Sequence, residues 1–192
     1  MRCINVSLLK RGMLVVSLVS VLTALAGGQT LPSKDNTATK IQDEALHTLQ
    51  DYLRLRLQNA DWKDYSRFVT WPDEPGWDCN WVVSKYELGV PRETETKAIV
   101  AATYKRLGLF CYDFEFKPSA KTVKIEYQLV NGPNGWKLSG PIPDYPDIRA
   151  DVLIKSLRTS AENPRESVER RVEFNATVRK VEDTLHRSNA SQ

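Results

Sequence analysis

Apolar positions change their period twice along the chain. From Lys40 to Leu57, Ile41, Ala45, Leu49, Tyr52 and Leu53 recur three and four residues apart, which predicts an amphipathic helix. Asp61 stands where it can cap a second, short helix whose Trp62, Tyr65 and Phe68 fall at i, i+3 and i+6. The period then drops to two. Residues 80–88 (NWVVSKYEL) alternate as a strand, with Trp81 and Val83 against Val82 and Tyr86, and residues 97–107 are at first apolar on both faces. Residues 110–116 (FCYDFEF) put Phe110, Tyr112, Phe114 and Phe116 on one face of an expected strand and Cys111, Asp113 and Glu115 on the other. Residues 123–130 group Val123, Ile125, Tyr127 and Leu129, and the turn Asn131-Gly132-Pro133-Asn134-Gly135 returns the chain into Trp136-Lys137-Leu138-Ser139 as a hairpin.

Helical spacing resumes beyond the proline-rich turn 140–146, where Ile148, Val152, Leu153 and Leu157 define a helix over 147–161 that Asn163-Pro164 ends. A last helix over 165–187 is densely charged, with a seam of Phe174, Val178, Val181 and Leu185. Two heptads are few for a coiled coil, so a solvated helix resting loosely on the domain is preferred to a homodimer through residues 165–187. The fold class is α+β: N-terminal helices packed on a curved antiparallel sheet, followed by C-terminal helices.

The N-terminus changes the address. Arg2, Lys10 and Arg11 flank an apolar run from Met13 to Ala26, followed by Gly27 and Gly28, the layout of a signal peptide cleaved near Ala26. A retained anchor is less favoured, because the run is shorter than the roughly 20 apolar residues that span a bilayer, and no stable membrane span is expected after cleavage. The expected organisation is a signal peptide over 1–26, a flexible leader over 27–37, an α+β domain over 38–163 and a charged helical tail over 164–192. The product is secreted or periplasmic.

The whole chain carries 27 basic and 24 acidic residues, but residues 1–26 hold three of the bases and no acid. Residues 27–192 are balanced, 24 against 24, so the formal charge gives no reason to expect nucleic acid. Cys3 falls in the signal peptide, and an oxidising compartment favours joining the remaining Cys79 and Cys111.

Helix, a short helix opened by Asn59-Ala60-Asp61-Trp62, strands at Ala98–Tyr104 and Val123–Leu129, and a Gly135-Trp136-Lys137-Leu138 edge: this order resembles the nuclear transport factor 2-like superfamily of cone-shaped α+β domains over about residues 40–140. The resemblance implies a curved sheet wrapped round a pocket closed by N-terminal helices. Members include isomerases, dehydratases and non-catalytic binding or assembly modules, so residues must choose among functions.

No Gly-x-Ser-x-Gly elbow, His-Glu-x-x-His, Cys-x-x-Cys or phosphate-cradling glycine loop occurs, so neither cofactor nor metal is expected. His47 and His186 lie far apart in the chain. Asp113 and Glu115 are the candidate acid–base pair if the protein is an enzyme, against a preferred reading as a strand's solvent face. The stretch WPDEPGWDCNW, residues 71–81, reads as a stapled rim loop: Pro72, Pro75 and Gly76 shape a turn, Cys79 anchors it, Trp81 enters the strand core, and Trp71 and Trp77 stay partly exposed. The leading expectation is a non-enzymatic module that binds a small apolar ligand or a protein partner through Trp71, Trp77, Tyr86, Tyr104 and Tyr127. Alternatives are a cofactor-free isomerase, dehydratase or hydrolase, and an envelope assembly protein oligomerising through its last helix.

Overall fold

The computed structural model describes residues 34–190, with side chains from Glu44 onward. The expected signal peptide, its cleavage point and most of the leader lie outside these residues. Helix α1 (Lys34–Leu57) begins earlier than its apolar spacing indicates, and α2 (Trp62–Tyr65) runs into a short 3-10 turn at Ser66–Phe68. The strands are β1 (Cys79–Leu88), β2 (Arg92–Glu93), β3 (Lys97–Cys111), β4 (Phe116–Gly132), β5 (Gly135–Gly140) and β6 (Asp147–Arg149), followed by α3 (Ala150–Glu162) and α4 (Val168–Ala190). The sheet order is β5-β4-β3-β1-β6, with β2 paired to β3; every pairing is antiparallel except β1 with β6.

The sheet curls into a half-barrel. Register shifts interrupt β1–β3 between Val82 and Lys85, β3–β4 between Arg106 and Gly108, and β4–β5 between Gln128 and Leu129. Such irregularities bend a strand and increase its twist. At Gly108 the strands close so tightly that a Cβ would run into the Lys117 carbonyl oxygen and lie 2.7 Å from the Phe116 ring.

Successive residues of β1 serve different cores. Val83 joins Leu49, Tyr52, Leu53 and Leu57 of α1, Tyr65 of α2, and Val100, Tyr104, Leu129 and Leu138 of the sheet. Val82 joins Leu107 and Phe116 with Leu153 and Leu157 of α3 and Phe174, Val178 and Val181 of α4. One sheet therefore separates two hydrophobic layers; β3 supplies Ala98, Val100, Ala102 and Tyr104 to the first and Leu107 to the second, while Ile99 and Ala101 are only partly buried.

Three expectations change. The segment 110–116 is a tight turn, because Asp113 accepts the Glu115 N–H at 3.1 Å and Phe114 takes φ 60°, while Phe110 and Phe116 pair across β3 and β4. Asp147, Ile148 and Arg149 form a parallel strand beside Trp81, Val82 and Val83, so α3 starts only at Ala150. The last helix is docked rather than loose: Ser167 Oγ accepts the Arg170 N–H at its start, and Phe174, Val178 and Val181 are buried. Its seam is used inside the chain, and the large apolar residues it leaves exposed are Val168 and Val172. Among the described residues no helix is long and apolar enough to cross a membrane.

Candidate functional site

Loop 69–78 enters beside β5, where Val69 bridges Leu138 and the Thr70 N–H donates to the Leu138 carbonyl at 2.9 Å. Trp77 Nε1 donates to the Pro143 carbonyl at 3.0 Å, and the Asp78 carbonyl accepts the Tyr112 N–H at 3.0 Å. Cys79 and Cys111 then face each other in register and are joined by a disulfide. A loop rich in proline and glycine is thus fixed at both ends and at its indole.

Arg56 holds the underside. It falls four residues after Tyr52 and three after Leu53, on the buried stripe of α1, and its guanidinium lies between two rings, 4.4 Å from the centroid of Tyr65 and 4.8 Å from that of Trp77. Its Nη1 donates to the Tyr65 hydroxyl at 2.5 Å, which donates in turn to Glu74 at 2.6 Å. Burial, and then the Glu74 hydrogen bond, raise the Tyr65 pKa above its ordinary value. Burial leaves Tyr52, next to it, with a pKa of about 12. Between α1, this loop and the start of α3 lies a cleft of about 690 Å³. Trp62, Trp77 and Tyr112 supply its rings, Asp61, Glu74 and Asp78 its acids, and Ile148 and Leu153 its apolar floor.

The expected site residues separate. Trp77 lines the cleft, whereas Trp71 is half-buried against the α1 core and its Nε1 has no hydrogen-bond partner among the described residues. Tyr104 and Tyr127 are in the core with hydroxyls 2.8 Å apart, and burial raises both phenols' pKa values. Tyr86 stacks on Tyr104 with centroids 6.1 Å apart and borders a different hollow beside Arg54 and Arg149. Asp113 and Glu115 are exposed in the β3–β4 turn, where Glu115 pairs with Lys117 at 3.0 Å. Trp81 is only partly buried; Arg106 and Lys121 stand 4.8 and 4.2 Å from its ring centroid.

Among the described residues, the carboxylate side chain that is buried is Asp147. Arg106 crosses the Trp81 ring and places Nε and Nη2 each 2.9 Å from Asp147 Oδ1, both side chains being less than a tenth exposed. Burial pushes the Asp147 carboxyl up to about 6, against the opposing pull of the guanidinium. Asp147 lines neither the cleft under the rim loop nor the hollow beside Tyr86, and this pair braces β3 to β6 across β1. Among the described residues no group of three or more His, Cys, Asp or Glu side chains could hold a metal ion. Arg56, Trp62, Glu74, Asp78 and Arg106 are absent from the sequence-derived site. Arg56 and Arg106 were nonetheless detectable as charges on buried-parity positions. Comparison with family models, curated proteins and solved structures finds no match to this chain.

Proposed function

We propose that the chain is an exported, non-enzymatic binding module whose site is the cleft beneath loop 71–78. The observation that carries this reading is the fixing of Trp77, Glu74 and Asp78 at the wall of a cleft of about 690 Å³ by the Pro143 bond, the Arg56–Tyr65 cluster and the disulfide. A preorganised wall loses little entropy on binding. Rings beside carboxylates favour a small amphipathic ligand with cationic or hydroxyl groups over a purely apolar one. Export is supported by the N-terminal pattern and by a disulfide, which oxidising compartments preserve.

Tryptophan emission of the oxidised protein, titrated with alkylammonium compounds and alkyl glycosides, tests the reading. A saturable change is expected, with Trp62→Ala and Asp78→Asn each weakening binding by about 1 kcal/mol or more. A flat response across the panel, or an affinity that both substitutions leave alone, would overturn it.

A cofactor-free acid–base enzyme is the second reading. Asp147 favours it, as a buried carboxyl with a raised pKa. It ranks second because that carboxylate is held by Arg106 and does not line the cleft under the rim loop.

A further inference from the structure

The rings at the cleft under the rim loop are joined to one another by contact. Trp62 meets Tyr65 edge-on at 5.2 Å, the Arg56 guanidinium joins Tyr65 to Trp77, and the Asp78 carbonyl ties Tyr112 to the loop. Asp61, Glu74 and Asp78 line the same cleft, and Arg56, the base among its lining residues, is buried. The chain's own proline-rich turn borders it too. Pro146 lines the cleft, and the Pro143 carbonyl accepts the Trp77 indole N–H at 3.0 Å.

We infer, on the reading of this cleft as a binding site, that its ligand is an extended, proline-rich peptide segment in the polyproline II conformation, whose arginine or lysine supplies the cationic group. A polyproline II strand makes no internal hydrogen bonds, so its carbonyls are free to take donors from a groove wall, and its stiffness keeps the entropy cost of docking low. Aromatic-lined grooves are the usual recipients of such strands. Trp77 already makes the contact, holding a prolyl carbonyl of the chain's own turn. Trp62 and Tyr112 line the cleft, and the indole N–H of one and the hydroxyl of the other have no partner among the described residues, which leaves them as donors for a second such strand. Of the acids, Asp61 faces Lys63 at 3.4 Å and Glu74 accepts the Tyr65 hydroxyl, whereas the exposed Asp78 carboxylate has no partner among the described residues. Asp78 is therefore the group that meets the partner's base. Its side chain is free for that role, because the bond to Tyr112 runs through its backbone carbonyl.

Isothermal calorimetry of the oxidised chain with an end-blocked oligoproline that begins with arginine tests this, beside versions with glutamate for the arginine or alanine for the prolines. Saturable binding of the first is expected, weakened about tenfold or more by either exchange. Asp78→Lys should weaken the arginine peptide by a similar factor and restore the glutamate peptide, with far-ultraviolet circular dichroism unchanged. The peptide exchanges need no variant, so a variant that failed to fold would still leave them decisive. Equal binding of the alanine version would overturn the polyproline assignment, as would arginine-peptide binding that both Asp78→Lys and the glutamate exchange leave alone. Absence of peptide binding while alkylammonium compounds or alkyl glycosides still bind saturably would overturn it too, and would leave the cleft a small-molecule site. Absence of both would overturn the cleft as a binding site altogether.

Discussion

Arg56 and Arg106 occupy positions where the surrounding pattern calls for apolar side chains. Arg56 continues the Leu49, Tyr52, Leu53 stripe of α1, and Arg106 follows Val100, Ala102 and Tyr104 in the alternation of β3. Both breaks were legible in the sequence, but their partners were not, because Trp77 and Asp147 reach them only through the fold. Arg106→Leu leaves a buried carboxylate uncompensated, so urea unfolding is expected to show a loss of about 3–5 kcal/mol, and less when Asp147→Leu is combined with it. The pH dependence has a definite sign. A carboxyl ordinarily near about 3.9 and held at about 6 when folded binds its proton more tightly in the native state. Its contribution to stability therefore falls as pH rises from about 4 to about 6, by an order of 2–3 kcal/mol. Comparing that slope in the wild type and in Asp147→Asn checks it: the variant should lack the fall, and parallel profiles would mean that Arg106 keeps the carboxylate ionised throughout.

Helix and strand identities were legible from period alone, as α1, β1, β3 and the β4–β5 hairpin show. The turn at 111–115 was not. Phe110, Tyr112, Phe114 and Phe116 alternate as a strand would, yet Asp113 and the positive φ of Phe114 reverse the chain, and Phe114 is captured edge-on by Phe174 at 4.8 Å. A tertiary contact from α4 selects the turn, and no local pattern reports it. The same contact explains why the charged tail is docked: Thr177 Oγ1 donates to the Phe114 carbonyl at 2.8 Å, and Val178 and Val181 close the second core. Truncation at Asn163 is accordingly expected to abolish cooperative thermal unfolding and expose the α3 face to hydrophobic dye; a truncated chain that melts cooperatively would return α4 to the status of an accessory helix. Gly108 marks the neighbouring constraint, since a methyl there meets the Lys117 carbonyl and the Phe116 ring. Gly108→Ala should cost about 1–3 kcal/mol in urea unfolding through forced strand separation.

At the scale of the molecule, β3 gives Ala98, Val100, Ala102 and Tyr104 to the first core and Leu107 to the second, and one disulfide closes the end of its pairing with β1, so the two cores share a strand and should unfold together. The run 97–107 is apolar on both faces only at its start, and there Ile99 and Ala101 are left partly buried outside both cores; which helices cover the rest required the fold. Four phenols report on this unit. Burial raises Tyr52, Tyr65, Tyr104 and Tyr127 above the ordinary tyrosine range, Tyr52 to about 12. In the unfolded chain they ionise near about 10, so the stability they confer is present below that pH and is lost as pH rises above it. In an alkaline titration the phenolate absorbance of these four should appear together with loss of circular dichroism, as one transition. Reducing Cys79–Cys111, worth about 3–4 kcal/mol for a loop of this size in the chain-entropy model, should move that transition to lower pH without splitting it. Separate transitions, with Tyr65 ionising before Tyr104 and Tyr127, would show that the α2 region and the rim loop open independently of the sheet, and the cleft would then be a mobile site rather than a preorganised one.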